Sequence, residues 1–350
     1  MLAVSLLVST VDVVAQDLAA DLEREVAPRS GLACPSPASY SLTRPDPAGT
    51  PTQVGLGIIF QDIAQLSDVD QTLDADVYVI TRWRDPRLAD PARGDASAEC
   101  PVPEGALWMP ALEPENIRSR QSFYAPRFLV DASGVITHSR RLWVKVADPL
   151  DLHDFPFDRH RWSVTVWPVV SRAEELVLRP LPSLVRMNDR LSIQGWRVGV
   201  PRAEAGTSAR LARPGVFARV DVRMDLQRNW GFYAWKLGLP LVLIVLMAYG
   251  VYFIPASAVN QQIGLSTTSM LTLIAYMLAL GSSLPRISYL TRADRFFIGS
   301  ALLVFLGLAK AIMTVALGGQ DGAVIGGLNR WGRWAYPAGT LINFLCALYW

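Results

Sequence analysis

The sequence predicts an all-β sandwich followed by a four-helix transmembrane bundle, and three observations predict it. From Leu237 to Pro285 no charged residue occurs across 49 positions, a run hard to keep in water and long enough for two bilayer spans. From about Gln53 to Asn229 the apolar residues instead recur with period two. The alternating runs are broken by turn signals at Asp85-Pro86, at Asp131-Ala132-Ser133-Gly134 and at Pro180-Leu181-Pro182. Many short strands with regular turns make a sandwich. The net charge of +2 over 350 residues gives no electrostatic case for nucleic acid.

Residues 1–52 read as a leader and linker. The start, MLAVSLLVSTVDVVAQD, resembles a secretory signal without a cationic head, and a disordered or helical leader is the alternative. Residues 53–229 form the sandwich. In LDADVYVITRW, RLWVKVAD, WSVTVW and ARVDVRMDL the side chains alternate; in the last, Val220, Val222, Met224 and Leu226 share one face. That strand continues through Gln227, Arg228 and Asn229 into the first span with no flexible linker, so movement of the sandwich must pull on the helix. Residues 230–350 form the membrane domain, with spans at about 230–254, 262–284, 294–317 and 334–350. The glycine-rich GGQDGAVIGG at 318–327 reads as the loop between the last two, since it lacks the ending of a phosphate loop. Lys310 reads as snorkelling from the inner half of the third span.

Other chemistry is sparse. The three cysteines make no zinc pattern; Cys346 lies in a span, and spacing leaves open whether Cys34 and Cys100 pair. His138, His153 and His160 have no metal-ligand spacing and read as solvated surface. No nucleophile or acid–base cluster points to an enzyme, and nothing implies a cofactor.

The second span, QQIGLSTTSMLTLIAYMLALGSSLP, is patterned. Steps of four and three residues join Gly264, Thr268, Leu271, Ala275, Leu278 and Ser282, small and polar at the ends and aliphatic between. A second stripe of Ser266, Thr267, Ser269 and Thr272 adds hydroxyls. Two readings stand: several copies ring a pore, with the leucines as apolar constrictions, or small residues pack helices together. The stretch DFPFDRHRW, Asp154 to Trp162, raises a separate question, since a proline between two phenylalanines holds an acid stiffly at a loop tip.

FPFD in that loop, WRDPRL at 83–88, LWMPALEPEN at 107–116 and LPRISYLT at 284–291 together resemble the pentameric ligand-gated ion channels of the Cys-loop receptor superfamily. The bacterial branch is most similar, because Asp148 and Trp162 stand near the positions of the animal receptors' loop cysteines. The resemblance covers roughly residues 53–350. It implies an extracellular or periplasmic, immunoglobulin-like sandwich on a multi-pass protein of the inner (plasma) membrane. It also implies a homopentamer, so that each chain has four identical partners, with a small-molecule agonist bound between sandwiches. Inorganic ions would pass through a pore lined by the second span, with Asn260 and Gln261 at its inner mouth. Coupling of the two domains would fall to Asp68, Phe155, Pro156, Phe157, Asp158, Arg228, Arg286 and Tyr289, with Arg228 as the cation between Asp68 and Asp158. The ligand would meet Tyr78, Glu113, Asn116, Trp167 and Phe217. The loop from Arg197 to Val216 has no aromatic residue and several arginines, so an ammonium cage is incomplete and an anionic or uncharged ligand stays open. The bacterial resemblance favours cations as the permeant ions, while Arg286 and Arg292 at the outer turn favour anions. The rival readings are a non-conducting periplasmic sensor with a transmembrane relay and a membrane-anchored enzyme.

Overall fold

The structure is a computed structural model that describes residues 34–90, 100–210, 213–255, 257–281, 287–316 and 322–349. Most of the leader, together with Ser282 and Arg286, lies outside the described residues.

Among the described residues, twelve strands build two sheets. One has the order β3 (Cys100–Val102), β6 (Arg127–Val130), β7 (Val135–Ala147), β2 (Thr72–Arg84), β1 (Thr52–Ser67) and β9 (Leu176–Met187), with β5 (Ile117–Ser122) also on β7. The other has the order β10 (Trp196–Val198), β12 (Arg213–Arg228), β8 (Arg159–Pro168) and β4 (Leu112–Pro114), with β11 (Arg202–Arg210) on β12. The alternation sets what lies between the sheets: Val220, Val222, Met224 and Leu226 of β12 meet Val54, Leu56, Phe60 and Ile63 of β1 in one core. Trp162 of β8 fills its centre, edge-on to Phe60 with ring centroids 6.2 Å apart.

Pro180-Leu181-Pro182 does not separate strands; it lies inside β9. β9 is an edge strand parallel to β1, and its register slips opposite Leu56 and Ile58. Prolines lack the N–H a central strand needs, but an edge with an irregularity tolerates them. Cys34 and Cys100 form a disulfide that ties the chain ahead of β1 to β3.

Four helices follow: α1 (Trp230–Phe253), α2 (Val259–Gly281), α3 (Arg292–Ala316) and α4 (Gly322–Tyr349). The first three are long and apolar enough to cross a bilayer. α1 widens into a π-helical turn at Ala234–Gly238, just before Pro240, which has no N–H to give. The Tyr276 hydroxyl of α2 donates to the Leu237 carbonyl there, at 2.7 Å. α4 begins at Gly322, not at Trp334, so residues 322–327 are helix and not loop. Glycine weakens a helix by about 1 kcal/mol per residue, which made the segment read as a loop, but Ile325 is buried and holds that turn to the bundle. At the other end of α4, the Asn343 amide donates to the Phe296 carbonyl of α3 at 3.1 Å.

Candidate functional site

Arg228 is the last residue of β12, two positions before α1 begins, with only Asn229 between them. From Ala218 onward the even-numbered residues of β12 face inward, so Arg228 continues the buried face where the sandwich core ends. Its guanidinium uses all five donors. Nε and Nη2 donate to Asp158 at 2.7 and 2.9 Å, Nη1 and Nη2 to Asp68 at 2.7 and 2.8 Å, and Nη1 to the Tyr233 hydroxyl at 2.9 Å. The cation also lies 4.1 Å from the Trp196 ring and 4.9 Å from the Phe155 ring. The Arg228 and Asp158 side chains are each 1% exposed and Asp68 is 20% exposed, so this is no solvated surface pair. Burial alone would raise the Asp158 carboxyl, but bonds from His160 and Arg228 and the guanidinium charge hold it below the usual carboxylate range. Burial pulls the Arg228 guanidinium the other way, yet its two carboxylates raise it above its ordinary value.

His160 was expected on the solvated surface. It is buried, with Nε2 at 2.5 Å from Asp158 Oδ2. His138 is buried too, and desolvation, with Arg140 nearby, lowers it to about 4. Only His153 is exposed at its side chain, paired with Asp151.

The loop from Asp148 to Trp162 closes without cysteines: Asp148 Oδ2 accepts from the Ser163 amide at 2.8 Å. Phe155 and Pro156 are joined by a cis peptide. Phe155 is buried with Leu150 and Leu152 against Tyr233, Ile287, Tyr289 and Ala293. Phe157 is partly exposed and reaches Trp230 at 5.9 Å. The carbonyls of His153 and Phe155 accept from the Arg292 and Ala293 amides at 3.0 and 3.2 Å, so the loop satisfies first-turn donors of α3. The Tyr289 hydroxyl accepts from the Leu152 amide at 2.9 Å, and its ring stacks on His153 at 3.8 Å. Arg292 Nε donates to Asp154 at 2.8 Å and its Nη1 to the Leu348 carbonyl of α4 at 2.6 Å. The structure therefore brings together every described member of the expected coupling set and adds His160, Tyr233, Trp196, Asp154 and Arg292.

On α2, Gly264, Thr268, Leu271, Ala275 and Leu278 are all exposed, Leu271 by 67% and Leu278 by 73%. Asn260 and Gln261 are exposed as well. The second hydroxyl stripe splits. Ser266 and Ser269 are buried against the bundle, while Thr267 and Thr272 remain exposed and donate to carbonyls of their own helix. Lys310 does not snorkel: it is 3% exposed, and Nζ donates to Gln262 Oε1 at 3.0 Å and to the Val251 carbonyl at 3.3 Å.

The expected ligand residues separate into two groups. Glu113 of β4 pairs with Trp167 of β8. The Trp167 indole donates to Glu115 at 3.0 Å, and the guanidinia of Arg210 and Arg219 lie 5.4 and 5.8 Å from its ring. Tyr78 lies on the other sheet, where its hydroxyl accepts from Tyr124 at 2.8 Å and Arg141 lies 5.5 Å from its ring. Asn116 and Phe217 are taken up internally. The Asn116 amide donates to the Ala147 and Ser163 carbonyls at 2.6 and 3.0 Å, tying β7 to β8, and Phe217 is 2% exposed.

Residues 39–229 match the family model described as neurotransmitter-gated ion-channel ligand binding domain, and residues 237–317 match that described as neurotransmitter-gated ion-channel transmembrane region. The chain is similar to the gamma-aminobutyric acid receptor subunit beta-like of Drosophila melanogaster, with 25% identity over 283 residues, 76% of this chain and 57% of that protein. It is also similar to the gamma-aminobutyric acid receptor subunit beta of Lymnaea stagnalis, with 25% identity over 294 residues, 76% of this chain and 56% of that protein. The gamma-3 subunit of Mus musculus is 24% identical over 271 residues, 76% of this chain and 58% of that protein. The chain thus spans somewhat more than half the length of these curated relatives.

Proposed function

The chain belongs to the neurotransmitter-gated ion-channel family, and we propose from that premise that it is one subunit of a homopentameric ligand-gated ion channel of the bacterial inner membrane, with its sandwich outside. The observation that carries this reading is the Arg228 clamp. A strand of the ligand-binding domain ends in a cation that holds two of that domain's loops and the first turn of α1 at once. A shift of either loop is thereby a force on a membrane helix. The exposed stripe of α2 supports the second half of the reading, a pore of five such helices with Leu271 and Leu278 as its apolar rings.

The agonist lies between sandwiches, where one subunit offers Glu113 and the guanidinium of Arg210 that covers the buried Trp167, and its neighbour offers Tyr78. Its class follows from Arg210 and Arg219. The Trp167 face that would stack on an ammonium already carries guanidinia; Arg219 is paired with Asp221 at 3.4 Å, so Arg210 is the cation that would meet a carboxylate. Gamma-aminobutyric acid, for which the relatives are named, carries both a carboxylate and an ammonium, and the carboxylate is the end a guanidinium would hold.

Planar-bilayer recording of the purified protein tests the proposal, with gamma-aminobutyric acid, other amino acids, dicarboxylates and simple amines as probes. Step-like currents evoked by carboxylates and weakened by Arg210→Gln are expected. Currents evoked by amines alone would overturn the ligand class. Binding without any current in an assembled protein would favour the non-conducting sensor.

A further inference from the structure

We infer that Lys310 sets the ion selectivity of the pore and makes it prefer anions, an inference that rests on the channel reading above. Lys310 stands in the inner half of α3 with no carboxylate partner among the described residues. Its contacts are neutral: the Gln262 side-chain oxygen, the Val251 carbonyl and, 5.8 Å away, the Tyr252 ring. An unpaired ammonium inside a bundle is costly, and a leucine would fill the space without that cost, so such a residue points to function.

Its position says which function. Gln262 is the next residue after Asn260 and Gln261, the neutral pair at the inner mouth. Its amide donates onward to the carbonyls of Ile254 and Pro255 at 3.0 and 2.9 Å, in the turn between α1 and α2. The charge therefore sits directly behind the first turn of α2. That is about one helix diameter, ~10 Å, from the opposite face, the one with Gly264 and Thr268. The N-terminus of α2 adds a positive end of the same sign.

Nothing described offsets it. Arg333 of α4 lies at the same end, with Nε donating to the Tyr252 carbonyl at 3.2 Å and its guanidinium 4.9 Å from the Phe253 ring. The sequence after Asn229 holds only two acids, Asp294 and Asp321. Asp294 caps the outer start of α3 through Thr291, at 2.8 and 2.9 Å, and Asp321 lies outside the described residues. Fivefold repetition sums these fields on the axis, and protein between charge and pore screens them less than water does. This reverses the cation preference that the bacterial resemblance implies.

Reversal potentials in a KCl gradient test it. Wild-type current should reverse near the chloride equilibrium potential. Lys310→Met should move the chloride-to-potassium permeability ratio toward potassium by about threefold or more, and Lys310→Arg should keep it. If Lys310→Met does not assemble, the double variant Lys310→Met/Gln262→Leu replaces the whole polar pair with apolar groups of similar size and should show the same shift. Wild-type current that reverses at the potassium potential, or variants that conduct with an unchanged reversal potential, overturn this inference and leave the channel intact. An assembled wild type that binds its agonist and passes no current overturns the channel reading and this inference together.

Discussion

Truncating Arg228 would strand Asp158, which is 1% exposed, with no cation and only His160 as a partner. Breaking a buried pair from one side costs about 3–5 kcal/mol. Arg228→Ala is therefore expected to assemble and bind agonist but to lose current, and Arg228→Lys should not rescue it, because a single ammonium cannot give five directed bonds. Binding and current measured on the same preparation check this; normal currents at normal agonist concentration would reduce the clamp to a structural pair. His138 gives a second expectation. An unfolded histidine takes its proton near pH 6.5, whereas burial and Arg140 hold His138 neutral down to about 4. Between those values the unfolded chain binds the extra proton, so its contribution is complete above pH 6.5 and on the order of 3 kcal/mol is lost by pH 4. Asp158 acts lower on the scale: its depressed carboxyl contributes above the unfolded value near 3.9 and fails as pH falls through the folded one. The unfolding temperature of the full chain should fall between pH 7 and 4, and fall less in His138→Phe; parallel curves would remove His138 from the account. Both buried histidines were legible. Counting back by two from Leu142, Val144 and Val146 lands on His138, and from Trp162, Val164 and Val166 on His160, so the strands' own alternation places them inside. Asp154 and Arg292, far apart in sequence, left no such trace.

At the scale of the element, α2 buries Gln262, Ser266, Ser269 and Leu273 against the bundle and leaves the stripe from Gly264 to Leu278 exposed. Leu271 is the exposed leucine one step beyond Thr268, and a ring of five would dewet the pore in the closed state. Leu271→Ser puts a hydroxyl in that ring and destabilises the closed state more than the already wet open one. Opening at lower agonist concentration, or leak without agonist, is the expected outcome. Aqueous thiol reagents should reach Leu271→Cys in the open state; if they label Thr268→Cys and Ala275→Cys but never Leu271→Cys, the pore face is misassigned. The steps of four and three made this stripe readable. The second stripe misled because serine and threonine alike can return their hydroxyls to the helix, and which of them the bundle buries depends on α3, whose Gly307 carbonyl faces Ser266. The same close fit governs α3 and α4. A Cβ on Gly299 would run into the Asn343 side chain, so Gly299→Ala should weaken that helix pair and lower the thermal stability of the assembled protein.

The whole molecule leaves Leu271, Leu278, Trp230 and Trp235 exposed. The tryptophans suit a membrane interface, but a face running from glycine and threonine to leucine gains nothing in lipid and calls for copies of itself. Mass measurement in detergent should give about five times the 38.5 kDa of the chain; a stable monomer or dimer would rule out the ring. The division into sandwich and bundle was plain from the change of period, whereas the docking of the loop onto α3 was not, because part of it is made by backbone atoms. The carbonyls of His153 and Phe155 that receive the first amides of α3 would be there whatever side chains those residues carried. That makes the joint partly transferable. A chimaera carrying this sandwich on a relative's helices would inherit those two bonds from loop length alone, whereas the side-chain contacts, Asp154 with Arg292, Arg228 and Phe155 with Tyr233, His153 with Tyr289 and Phe157 with Trp230, would have to be carried across with it. Lengthening the loop by one residue between Asp151 and Phe155 would do the reverse, keeping every native side chain in the sequence and breaking the graft.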